Sequence, residues 1–207
     1  MIDIIAEVTA IGRQVAQRSS ESGPTVVVTV SRRQPAAIAD VWAALTDPDR
    51  VRRWFLPLTG YLVEGGTFQL EGNASGDILT CRPPGHLVIT FGGPSSVVDL
   101  WLKQVGQETL LEFDHTVPVE MAGGTAGALY VGPGWDSALM GLAGFLSGEV
   151  STDPVAAASS PEAQAFGVQS VEAWAGVITA SGTSDAEAVT AARKVALEQF
   201  APDVGHH

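Results

Sequence analysis

The chain has 207 residues, and 11 Lys and Arg against 23 Asp and Glu leave a formal charge of −12, which argues against nucleic acid as a partner, since phosphate binding needs a net basic face. Hydrophobic residues at 45% against 16% charged rule out wholesale disorder. One cysteine, Cys81, rules out an intramolecular disulfide and fits a reducing cytoplasm.

A chain of this size buries roughly 70% of its unfolded surface and needs no covalent staples. The longest near-apolar run, ALMGLAGFL at 138–146, is about half a bilayer span, so no membrane-spanning segment is expected. Charge is uneven along the chain. Residues 1–53 carry +1, residues 54–150 carry −8 and residues 151–207 carry −5. Three sections are expected: 1–23, an N-terminal amphipathic helix and linker; 24–150, the main domain; and 151–207, a helical extension.

In residues 1–18, Met1, Ile4, Ile5, Val8, Ile11 and Val15 follow helical spacing. Asp3 and Glu7 favour the positive end of the helix dipole, and Arg13 and Arg18 the negative end. Acids where a signal peptide would be basic argue against a secretory leader. SSESG at 19–23 reads as a flexible linker. TVVVTVSRR from Thr25 is β-branched and reads as a strand. Pro35 opens a helix with Ile38, Val41, Trp42 and Leu45 on one face. Asp47 and Pro48 start a second, shorter helix.

Five strand-like segments follow: GGTFQLEG, GDILTCRP, HLVITFGG, SVVDLWLKQV and ETLLEFDHTV. Gly106 marks the hairpin between the last two, and the pairs Gly65–Gly66 and Gly92–Gly93 suit the bends of a curved sheet. Pro133 begins a closing helix with Trp135, Leu139, Leu142 and Leu146 on one stripe. Beyond it, 151–164 reads as a loop. Ser160 and Pro161 then start a helix that stops at Gly182. Ser184 and Glu187 form a capping box for a last helix, with Val189, Ala192, Ala196 and Phe200 inward.

Five stretches in this order carry a family resemblance: VWAALTDPDRVRRWF, GGTFQL, GDILTCRPPGHLVITF, TLLEFDHTVP and GWDSALMGLAGFL. Together, over about residues 25–148, they resemble the START-like (SRPBCC, Bet v 1-like) superfamily. The branch is that of homologues of the activator of the heat-shock-protein-90 ATPase. The resemblance implies a helix-grip fold: a curved antiparallel sheet around a long C-terminal helix, with a cavity that often holds an apolar small molecule. The order of elements gives an α+β class by itself, with helices on one face of an antiparallel sheet. The N-terminal helix and a C-terminal helical hairpin are additions. The hairpin either packs on the body or serves a homodimer through the terminal helices.

No local signature of catalysis is present. GNASG at 72–76 lacks the serine of a nucleophile elbow. Neither a phosphate-cradling glycine loop nor an H-E-x-x-H motif occurs. Cys81, His86 and His115 lack the paired spacing of a zinc site, so no metal and no cofactor is expected. His115 alternates with Leu111 and Phe113 onto one strand face and is the candidate polar group inside a cavity. Glu112 and Asp114 fall on the other face, and Asp136 suits the dipole of the closing helix. The arginines 32, 33, 50, 52 and 53 read either as an anion site or as a solvated face paired with Asp47 and Asp49.

The expected function is binding of a small, largely apolar ligand. Its walls are Phe68, Leu100, Leu102, Phe113 and His115 from the sheet, with Trp135, Leu139 and Leu142 from the helix. A one-residue slip in strand parity would exchange Leu100 and Leu102 for Asp99, Trp101 and Lys103. Relatives of the superfamily include cyclases and dehydratases, which makes His115 as acid or base the enzymatic alternative. The branch name adds a co-chaperone-like interaction module as a third.

Overall fold

The computed structural model describes residues 3–20, 23–149 and 151–204. Met1, Glu21, Ser22 and the terminal Gly205, His206 and His207 lie outside the described residues. The elements in chain order are α1 (Ile4–Thr9), β1 (Ile11–Ser20), β2 (Gly23–Gln34), α2 (Ile38–Thr46) and α3 (Pro48–Val51). Then come β3 (Leu58–Gly60), β4 (Thr67–Leu70), β5 (Ser75–Arg82), β6 (His86–Thr90), β7 (Val97–Val105) and β8 (Glu108–Pro118). The C-terminal part holds α4 (Val119–Ala122), a 3-10 helix (Thr125–Tyr130), α5 (Gly132–Leu146), α6 (Pro154–Ala157), α7 (Pro161–Ser181) and α8 (Ala186–Phe200).

The class is α+β, as expected. The strand order is β1-β2-β8-β7-β6-β5-β4-β3, and the pairings from β3 through β8 are antiparallel. Among the described residues, no helix is long and apolar enough to cross a membrane.

Two compact units make up the chain. The first gathers Met1–Val30, Val117–Leu139 and Ala156–His207. In it α7 packs on α1, β1, the 3-10 helix and α8. Phe166, Val171, Trp174 and Ile178 of α7 are fully buried there, beside buried Leu129, Val189, Ala192 and Ala196. Burying an indole the size of Trp174 removes on the order of 200 Å² from water, roughly 5 kcal/mol at about 25 cal/mol per Å². The close fit depends on Gly132, where a Cβ would stand 2.4 Å from Cε2 of Trp174.

The second unit comprises Ser31–Thr116 and Met140–Val155. Its core cluster is Val51, Leu58, Phe68, Leu70 and Ile78, with Phe55, Leu56, Leu62, Cys81, Leu87, Ile89 and Phe91 packed against it. Phe68 lies opposite Gly76 across β4 and β5. A side chain at Gly76 would run into the Thr90 carbonyl at 1.9 Å and the Phe68 ring at 2.9 Å. α2 buries Val41 and Ala44, and Asp47 caps α3 by accepting the Asp49 amide at 2.9 Å.

Three expectations are corrected. The N-terminal helix stops at Thr9, and Ile11–Ser20 is strand β1. Ile11 and Val15, four apart, satisfy a helical and a strand period alike, and the deciding residue between them is Arg13, which is inward-facing through a buried ion pair. Ser19 and Ser20 end β1 and Gly23 opens β2, so three of the five residues expected as a linker belong to strands, and the Ser20 hydroxyl donates to the Gly23 carbonyl at 2.7 Å. The last helix is capped by Asp185, whose carboxylate accepts the Ala188 amide at 2.7 Å. Ser184 instead bonds Thr125 on the 3-10 helix at 2.7 Å. Strand β3, the short helices α4 and α6 and the 3-10 helix are elements the sequence pattern did not disclose; α6 lies within the stretch read as a loop.

Candidate ligand-binding site

The strand ladder fixes which side chains share a face. In β7 and β8, Val98 lies opposite His115, Leu100 opposite Phe113 and Leu102 opposite Leu111. Burial follows that parity. Val98, Leu102, Leu111, Phe113 and His115 are buried and Leu100 is half-buried, whereas Trp101, Lys103 and Glu112 are exposed. β6 adds Leu87 opposite Leu100 and Ile89 opposite Val98. Leu100 and Leu102 are therefore the inward set, as the cost of burying Lys103 dictates.

His115 is 5% exposed within this apolar face. Its Nε2 lies 2.9 Å from the Ser96 hydroxyl, and its ring meets Phe91 edge-on with centroids 6.1 Å apart. Burial penalises the imidazolium and lowers the pKa to about 4, so the ring is neutral near pH 7. A neutral imidazole next to a serine hydroxyl can position a carbonyl or hydroxyl of a bound molecule. Ser96 was missed from sequence because it only opens the strand-like segment SVVDLWLKQV, and no local pattern links it to His115, 19 residues along the chain.

The other expected wall residues are distributed. Phe68 is buried and stacks on Phe91 at 6.3 Å. Leu142 of α5 is buried in the second unit. Trp135, half-buried, and Leu139, buried, belong to the first unit. Phe68 also lines a depression of about 570 Å³ with Thr59, Gln69, Asp77, Thr90 and Gly92. That depression is bordered largely by polar side chains and glycines, and Phe68 is its one member from the expected set.

The arginines do not form one anion site. Arg32 is buried, Arg33 lies 3.6 Å from Glu108, Arg50 3.6 Å from Asp40 and Arg52 3.2 Å from Asp49. Arg50 and Arg53 also stand over the Phe145 ring. Among the described residues, no three His, Cys, Asp or Glu side chains converge as a metal site would require.

A second polar cluster, in the first unit, was also missed. Asp136 is fully buried, and its Oδ2 accepts from Arg13 Nε at 2.8 Å, from Trp174 Nε1 at 3.0 Å and from the Ser170 hydroxyl. Burial pushes the Asp136 carboxyl up, against the opposing pull of Arg13 and the two neutral donors. Asp136 thus joins α5 to β1 and α7 rather than serving a helix dipole.

The family described as activator of Hsp90 ATPase homolog 1-like protein matches residues 35–147. The crystal structure of CalU16 from Micromonospora echinospora is 38% identical, covering 82% of this chain and 98% of that one, with a TM-score of 0.67. The solution structure of CalU16 is 32% identical over 93% and 94% of the two chains, with a TM-score of 0.62. DynU16, a protein in the dynemicin biosynthetic locus, is 26% identical over 58% of this chain and 47% of its own, with a TM-score of 0.52. No curated protein matches. With the family matched over more than half the chain and a relative at 38% identity over most of it, the chain belongs to the activator of Hsp90 ATPase homolog 1-like family and has its START-like, helix-grip fold.

Proposed function

We propose that the protein binds a small, largely apolar molecule against the inner face of the sheet in the second unit. The observation that carries this reading is a neutral histidine, hydrogen-bonded to Ser96, set in the apolar row of Val98, Leu100, Leu102, Leu111 and Phe113. An apolar wall with one or two placed polar groups is the usual chemistry of a small-molecule site. Phe68 and Leu142 extend the same set within the unit. DynU16's place in a biosynthetic locus favours a biosynthetic small molecule as the class of ligand.

Native mass spectrometry of the freshly purified protein tests this. A discrete excess of a few hundred daltons, lost on denaturation and reduced in His115→Ala, is the expected result. A bare chain mass, together with no binding of apolar probes, would remove the reading. The same spectrum counts subunits and so tests homodimerisation through the terminal helices.

The Ser96 contact also favours a second reading, in which His115 acts as a base in a cyclase- or dehydratase-type reaction. Its neutral ring has a free-base form at pH 7, and its low pKa makes it a weak base. Incubating an extracted ligand with the protein and finding its mass and retention unchanged would exclude that reading.

A further inference from the structure

The inner face of the second unit carries a buried polar side chain without a hydrogen-bond partner. Gln34, the last residue of β2, is 0% exposed, and neither its Oε1 nor its Nε2 meets a hydrogen-bond partner. Its direction follows from its neighbour. Arg33 is exposed and reaches Glu108 at 3.6 Å, and Glu108 begins the outward set of β8 that includes Glu112. Side chains alternate along a strand, so Gln34 points to the other face, that of Thr109, Leu111, Phe113 and His115.

Two polar side chains at this end of the sheet, Thr109 and Gln104, are already engaged. Thr109 gives its hydroxyl to the Ala36 carbonyl at 2.8 Å. The nearby glutamine, Gln104, accepts from the Ile38 amide and donates to the Gly106 and Glu108 carbonyls. One glutamine at this end of the sheet is thus saturated and structural, while the other buries a whole carboxamide unmatched. Such burial costs free energy that an apolar residue of the same volume would not.

We propose that Gln34 recognises an amide edge on the bound molecule: a carboxamide or lactam, with donor and acceptor side by side on an apolar body. The inference rests on the ligand-binding reading above and deepens it. A carboxamide offers one acceptor and one donor in a plane, so the complementary edge closes two hydrogen bonds at once. His115, on the same face, is left to orient a further oxygen.

The test compares wild type with Gln34→Met, a near-isosteric apolar replacement, using 1-naphthamide and 1-methylnaphthalene as probes in calorimetric titrations. Wild type is expected to bind the amide roughly tenfold more tightly than the methyl compound, and Gln34→Met to bring that ratio near one. The ligand-free variant is expected to melt about 2–4 °C higher, because an unmatched polar group has gone. A variant that melts lower or fails to fold would make Gln34 structural and overturn the proposal. Equal wild-type affinity for both probes would overturn the role of Gln34 alone, whereas binding of neither would take the ligand-binding reading with it.

Discussion

At the scale of single residues, burial decides charge. His115 has a folded pKa of about 4 against an ordinary value of 6.5, owing to burial. As pH falls, the unfolded chain takes up this proton first. Stability is therefore full above about pH 6.5 and declines as pH drops towards 4, by up to roughly 3 kcal/mol. Urea unfolding at pH 7 and pH 4.5 should show a steeper loss in wild type than in His115→Gln. Equal losses in the two proteins would place the imidazole in water. The histidine's face was legible in the sequence, because LLEFDH alternates cleanly between apolar and charged residues. Gln34 could have been read the same way, since VVVTVSRRQ puts it in phase with Val28, Val30 and Arg32. The polarity of Arg32 and Gln34 masked the phase.

At the scale of elements, local chemistry was legible where it is self-contained. Ser160 caps α7 through the Ala163 amide, and Gly182 ends it with φ of 67°. Both follow from one or two residues. The start of α8 shows the limit: Ser184, Asp185 and Glu187 offer two adjacent acceptors, and a contact 59 residues away, with Thr125, chooses between them. Asp185→Ala should cost about 1 kcal/mol and speed hydrogen exchange at the Ala188 amide. Unchanged exchange there would return the cap to Ser184. The N-terminal segment failed for a related reason. A spacing of four fits both periods, and sequence alone treats Arg13 as a surface residue.

At the scale of the whole chain, the first unit is assembled from three stretches far apart in sequence. Its polar centre draws Arg13 from β1, Asp136 from α5, and Ser170 and Trp174 from α7. Asp136→Ala would leave the Arg13 cation buried without its counter-charge, a loss of about 3–5 kcal/mol. Replacing both, with Arg13→Met and Asp136→Leu, should recover most of it. Denaturant midpoints check both statements, and a single variant as stable as wild type would show the pair to be solvated.

By itself the sequence determined the class, the family, the run of β4 to β8 and the inward phase of β7 and β8. These rest on short-range periodicity and on motifs read in order, which survive without knowledge of distant contacts. The tertiary structure alone decided that residues 11–20 pair as a strand, that Asp136 is an ion-pair partner, and that Ser96 meets His115. It also decided that Gln34 is buried with its amide unmatched. Each of these is a desolvated polar group or an edge whose partner lies far along the chain. A polar side chain's free energy depends on what surrounds it, and no local pattern records that environment.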